Sequence, residues 1–90
     1  MEGRRLYRLA TGLFEISNRA FLPTKARVWD YWKDFNGVWM CYSPAGLGNL
    51  ANHEITVHKD GTITVKPSIL ITGEGQWHGY IERGVWLEAK

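Results

Sequence analysis

His53-Glu54-Ile55-Thr56-Val57-His58-Lys59-Asp60-Gly61-Thr62-Ile63-Thr64-Val65-Lys66-Pro67-Ser68-Ile69-Leu70-Ile71 is the stretch that decides the fold class. On either side of Lys59-Asp60-Gly61, β-branched apolar residues alternate with polar ones: Ile55 and Val57 before it, Ile63 and Val65 after it. A period of two over this length predicts two strands, each with one buried and one wet face. Loop length then sets the register. A two-residue Asp60-Gly61 loop pairs Val57 with Thr64 and mixes the faces, whereas a three-residue loop, Lys59 to Gly61, pairs Val57 with Ile63 and Ile55 with Val65. The second register is expected, because it puts all four aliphatic side chains on one face and a one-residue slip exposes them all. It requires a type I turn with Gly61 left-handed, a conformation glycine tolerates best. Pro67 has no N–H for a ladder and is expected to end the second strand or place it at an edge.

Downstream, Ile69-Leu70-Ile71 reads as a short buried strand and Gly73-Glu74-Gly75 as a flexible turn. The closing segment, Trp77 to Glu88, repeats the logic of the central hairpin. A three-residue loop, Glu82 to Gly84, pairs Ile81 with Val85, Tyr80 with Trp86 and His78 with Glu88. Ile81, Val85 and Leu87 then face inward, while His78, Tyr80, Trp86 and Glu88 share the opposite face. Two large aromatics, an imidazole and a carboxylate are an unusual solvent side, so this face is the first candidate for a working surface.

Upstream, residues 4–17 fit two templates. Leu6, Leu9, Ala10 and Leu13 are spaced for a helix, but Gly12 interrupts them and Leu13-Phe14-Glu15-Ile16 fits a strand. Strand is preferred, with turn signals at Thr11-Gly12 and Ser17-Asn18. Val28 to Trp32 and Val38 to Tyr42 are aromatic and β-branched, and Asn36-Gly37 between them is a hairpin signal. A single helical turn over residues 24–33, capped by Thr24, competes with the first of these strands. Ser43 to Asn52 is small, polar and glycine-containing, and reads as a long ordered loop.

Ninety residues bound one domain, 1–90, with 38–88 as a β-hairpin core and 1–37 as a less regular N-terminal part. The expected class is mainly β, a small antiparallel sheet of successive hairpins with at most one short helix in the first third. Five Trp, four Tyr and three Phe supply burial area, in surplus over what so small a core hides. Cys41 is the only cysteine, so an internal disulfide is ruled out and a reducing compartment fits. The basic start, Met1 to Arg8, lacks the apolar run of a signal peptide, and no run of about 18 apolar residues argues for a membrane span. The net charge of +2 hides an asymmetry. Residues 1–33 hold seven Lys and Arg against three Asp and Glu, a net +4, and the remainder carries a net −2. A basic first third attracts nucleic acid or an acidic protein surface, although it also serves as an ordinary solvated rim.

Ser43-Pro44-Ala45-Gly46-Leu47-Gly48, Asp60-Gly61-Thr62-Ile63, Pro67-Ser68-Ile69-Leu70, Trp77-His78-Gly79-Tyr80 and Arg83-Gly84-Val85-Trp86 occur in that order. In this the chain, over residues 38–88, resembles a family of small phage and prophage β-rich proteins of unknown function, often mislabelled as ammonia monooxygenase. The resemblance implies a phage-type β fold and a bacterial host cytoplasm. Many members of that family carry a Cys-Pro-Cys-Gly-Cys-like cluster near the position of Cys41 to Gly48, which implies a metal site. Only Cys41 of that cluster stands here.

Chemistry is thinly encoded. A zinc site needs three or four converging ligands, and Cys41, His53, His58 and His78 are the candidates. His53 and His58 are five positions apart and point to opposite faces of one regular strand. His53-Glu54 with His58 also misses the spacing of the His-Glu-x-x-His helix motif. Cys41 with His78 and Glu88 is the one nucleophile–base–orienter set the chain offers, set against Cys41 as a small buried hydrophobe. Gly46-Leu47-Gly48 and Gly73-Glu74-Gly75 lack the Lys-Ser/Thr of a phosphate loop and read as turns. No cofactor, metal or catalytic residue is therefore assigned, and the expectation is a non-enzyme.

Trp, Tyr and Arg dominate interface hot spots. Protein binding by Trp77, His78, Tyr80, Arg83, Trp86 and Glu88 is accordingly the leading reading, with a host or phage protein as partner and a host enzyme or defence complex as an inhibition target. A nucleic-acid-binding accessory factor, using Arg4, Arg5 and Arg8, is the alternative. A degenerate metal-dependent enzyme stands behind it, and self-association through a sheet edge is open.

Overall fold

Period-two patterning becomes strand almost throughout. The computed structural model describes residues 1–89, which are mainly β, with eleven strands in three small sheets and one 3-10 turn at Pro23–Lys25. The strands are β1 (Arg4–Arg5), β2 (Tyr7–Arg8), β3 (Phe14–Ile16), β4 (Arg19–Phe21), β5 (Asp30–Lys33), β6 (Trp39–Ser43), β7 (Gly46–Asn49), β8 (Glu54–Val57), β9 (Ile63–Gly73), β10 (Gly75–Glu82) and β11 (Val85–Glu88). They form sheets of order β1-β5-β6-β7, β11-β10-β9-β8 and β2-β3-β4, antiparallel except for the β1–β5 pair.

The central hairpin takes the expected register, Val57 opposite Ile63 and Ile55 opposite Val65. His58 N–H donates to the Thr62 carbonyl at 2.8 Å and Gly61 N–H to the His58 carbonyl at 2.9 Å, closing the three-residue loop with Gly61 at φ +87°. Burial along this shared face is uneven. Ile63 and Val65 are buried, but Val57 is 52 % exposed because β8 is an edge strand whose tip overhangs the core. The β5–β6 hairpin signalled by Asn36-Gly37 closes the same way, with Asp34 N–H on the Val38 carbonyl and Gly37 at φ +80°. Ser17 and Asn18, both left-handed, make the two-residue turn between β3 and β4. Strand thus prevails over helix in residues 4–17. The helical alternative over 24–33 shrinks to the Pro23–Lys25 turn, followed by β5.

Several expectations are corrected. Pro67 does not end β9, which runs on to Gly73, but it does stand where β9 becomes an edge: β8 pairs only as far as Lys66, and beyond it β9 keeps β10 as its one ladder partner among the described residues. The missing N–H is tolerated because β8 stops pairing at Lys66 and the β9–β10 register shifts between Gly79 and Ile81, so no ladder bond is demanded there. Ile69 to Ile71 is consequently part of that long strand and not a separate short one. Ser43 to Asn52 is not a loop throughout, since Gly46–Asn49 is β7, paired with β6 from Ser43↔Gly46 to Met40↔Asn49. Of its glycines, Gly48 serves close approach, since a Cβ there would lie 2.6 Å from Ile71 Cδ1 and 2.9 Å from Cys41 Sγ, and Gly46 takes a positive φ of +121°.

The closing hairpin differs by one residue. Its loop is Arg83-Gly84, with Glu82 opposite Val85, Ile81 opposite Trp86 and Tyr80 opposite Leu87. Both loop residues are left-handed, φ +46° and +77°, the twist that suits a two-residue hairpin. That single step swaps the faces of β11. Trp86 turns inward and is 2 % exposed, while Val85 and Leu87 turn out.

The β1-β5-β6-β7 sheet is the middle layer. From one face Tyr31, Trp39 and Cys41 pack with Ile63, Val65, Ile69, Ile71, Trp77, Ile81 and Trp86 of the β8–β11 sheet. From the other face Trp32, Met40 and Tyr42 pack with Leu6, Phe14 and Phe21 around the β2–β4 sheet. Covered on both sides, β5 reads as an almost unbroken buried run. No surplus of exposed tryptophan results: four of the five are buried and Trp29 packs against the core. Trp29, Trp77 and Trp86 meet edge to face at centroid distances of 5.1 to 6.1 Å, a favoured aromatic geometry. Residues 1–3 run along β11, with Trp86 N–H on the Met1 carbonyl at 2.7 Å, before β1 joins β5. One edge of the β8–β11 sheet is thereby covered by the chain itself.

Candidate functional site

With the inner face of the β8–β11 sheet filled, its outer face is what the molecule offers to solvent. Alternation along β9, β10 and β11 brings Leu70, His78, Tyr80, Leu87 and Val85 onto it. Leu70 lies opposite His78 and Tyr80 opposite Leu87. Leu70 is 58 %, Tyr80 46 % and Leu87 45 % exposed, so the strip is apolar and wet together. Beside it the β9–β10 bulge opens a groove of about 670 Å³ lined by His58, Thr64, Lys66, Tyr80, Glu82 and Leu87. The rim carries both signs of charge, with Glu54 paired across the ladder to Lys66 and Glu82 beside Arg83. An apolar centre inside a mixed polar rim is the anatomy of a protein interface.

The structure divides the protein-binding set read from sequence. His78, Tyr80 and Arg83 are on or beside this face and exposed. Trp77 and Trp86 are core residues, and Trp86 is further fixed by its indole N–H, which donates to the Trp29 carbonyl at 2.9 Å. Glu88 is exposed but, by alternation along β11, on the side that carries Trp86. Their places are taken by Leu70, Val85 and Leu87. Leu70 carried a readable signal, since it sits between two aliphatics that a strand must send to the other face.

Arg83 occupies the hairpin tip at φ +46°, a conformation that asparagine or glycine adopts at lower cost. Its own N–H donates to Thr64 Oγ1 at 3.1 Å, which ties the tip back to β9.

Nucleophilic chemistry finds no support in the placement of its candidates. Cys41 is wholly buried, and burial pushes its thiol up to about 12, far from a ready thiolate. His78 meets neither Cys41 nor Glu88; its Nε2 lies 3.1 Å from Ser68 Oγ on the open sheet face. The other histidines are separately engaged, His53 Nε2 with the Ser68 carbonyl at 3.1 Å and His58 Nε2 with Thr64 Oγ1 at 2.7 Å. Among the described residues no three His, Cys, Asp or Glu side chains gather as metal ligands would.

The three arginines proposed for nucleic acid are structural in their contacts. Arg4 makes a two-pronged pair with buried Asp30, both bonds 2.9 Å. Arg5 lies over the Tyr7 and Trp39 rings at 4.4 and 4.7 Å and donates to the Gly61 carbonyl at 2.9 Å, tying the N-terminal strand to the central turn. Arg8 sits between the Phe14 and Phe35 rings at 4.8 and 5.1 Å, with Asp34 at 3.9 Å. Each arginine holds layers together, and this use is hidden because Asp30, Asp34, Phe35, Trp39 and Gly61 are distant from them in sequence. No known protein family, curated protein or solved structure matches the chain.

Proposed function

We propose that the protein is a non-enzymatic accessory protein of a phage or prophage that binds a host or phage protein through the outer face of the β8–β11 sheet, as an inhibitor of a host enzyme or defence complex. The observation that carries the binding reading is the strip of Leu70, Tyr80, Val85 and Leu87, exposed on a sheet whose other face already has its core. Contiguous apolar surface of this kind is costly to leave in water unless a partner covers it. The balanced charge of its rim suits a protein surface better than a polyanion. The phage or prophage setting rests on the short-motif resemblance of residues 38–88 alone, since no family model matches the chain.

The test is a tagged pull-down from bacterial lysate after nuclease treatment, run in parallel with Tyr80→Ser/Leu87→Ser. Both substituted residues are outward, so the variant keeps its fold by circular dichroism. The expected result is one discrete protein held by the parent and lost by the variant. Capture of the same proteins by both would sink the assignment of this face.

A further inference from the structure

On the opposite part of the molecule, a groove of about 330 Å³ opens between β1, the β3–β4 hairpin and the Pro23–Lys25 turn. Arg4, Arg19, Lys25 and Arg27 line it around a floor that includes Ile16 and Phe21, and among the described residues no carboxylate does. The Arg4 charge is already balanced by Asp30, and its guanidinium lies over the Phe21 ring at 5.5 Å. Arg19, Lys25 and Arg27 are exposed, and among the described residues none of them is in an ion pair. Three uncompensated cations therefore converge on one concavity. Separate elements hold them there: Arg19 follows the left-handed Ser17-Asn18 turn and Lys25 ends the 3-10 turn. The loop at Arg27 is pinned by its own N–H, which donates to Asp30 Oδ2 at 2.7 Å.

We infer that this groove is a binding site for single-stranded nucleic acid, with phosphates on Arg19, Lys25 and Arg27 and a base against Ile16 and Phe21. A cationic rim around an aromatic floor matches a ligand in which charged and planar units alternate. Inorganic phosphate leaves the floor unused, and a duplex keeps its bases stacked away from it. The volume sits near the lower end of ligand-sized cavities, roughly 300 Å³, enough for one base with its sugar, while the phosphates of that unit and its neighbours lie on the exposed rim. This site is separate from the sheet face and stands or falls independently of it.

Fluorescence anisotropy with a short labelled oligothymidylate tests the inference. Saturable binding at low salt is expected, with a slope of log affinity against log salt near −2, from three phosphates at about 0.7 each. Arg19→Ala and Arg27→Ala should each weaken binding roughly eightfold at about 0.05 M salt and flatten the slope by about 0.7. All three cations are exposed, so circular dichroism should stay native. Lys59→Ala/Lys66→Ala removes charge from the other sheet and should change neither quantity. Absence of saturable binding, an equal loss in the Lys59/Lys66 variant, or binding of inorganic phosphate or a phosphopeptide without the oligonucleotide would each overturn the site.

Discussion

Gly48 shows how one residue type serves opposite ends. In sequence it belongs to a small, polar stretch that reads as loop; in the fold it lets β7 lie against β9. Its missing side chain leaves room for Ile71 and Cys41, both buried. Gly48→Ala should therefore overpack the core and cost about 1–3 kcal/mol, read as a lower urea midpoint at unchanged slope. Gly79→Ala should cost more, because the added carbon meets the Leu87 carbonyl, which is backbone and cannot swing aside. Cys41 is the complementary case, a reactive residue type used as filler. The expected outcome is slow thiol labelling of the native protein at pH 8 and rapid labelling once it is unfolded.

Hairpins are the elements, and their loops decide what faces where. The β8–β9 register was legible because all its aliphatics sit on one phase of the alternation and Gly61 fixes the loop. At β10–β11 the phases conflict: Ile81 and Trp86 are apolar on one, Tyr80, Val85 and Leu87 on the other. Hydrophobic pattern alone could not arbitrate there, and preferring aliphatics inside gave a loop one residue too long. That loop accounts for Val85, Trp86 and Leu87, whereas Leu70 is missed because Ile69 to Ile71 reads as one buried strand. The basic groove was hidden differently, since Arg19, Lys25 and Arg27 are scattered across a turn, a proline and a loop, whereas Arg4, Arg5 and Arg8 cluster in sequence. The tip of the closing hairpin yields a prediction of its own. Arg83→Asn puts the residue best suited to a two-residue left-handed loop in place of one that is strained, and should stabilise by up to about 1 kcal/mol. An unchanged or lower melting temperature would mean that the Arg83 side chain makes contacts worth more than the strain.

At the scale of the whole molecule, the two larger sheets share one core, and two ionisable groups lie inside it. Burial raises the Tyr31 hydroxyl from 10.0 to about 12, opposed by the nearby Arg5 charge, and raises the Cys41 thiol from 9.0 to about 12, opposed by a backbone hydrogen bond at Gly48. The folded protein thus keeps both protons at pH values where the unfolded chain has released them. Where the native state binds more protons, stability falls as pH rises. The advantage is complete below about pH 9, with both groups protonated in either state, and is lost progressively from pH 9 toward 12. Urea midpoints should accordingly hold level from pH 7 to 9 and then fall. The transition should stay single, because Tyr31 and Cys41 belong to the core that joins the sheets. Cys41→Ala gives the internal check. It should be less stable than the parent at pH 7, from lost packing, yet decline less steeply from pH 9 to 10, where the thiol is the first of the two groups to deprotonate in the unfolded chain. A midpoint that rises over this range, or an equally steep decline in the variant, would mean that the shared core does not protect these protons.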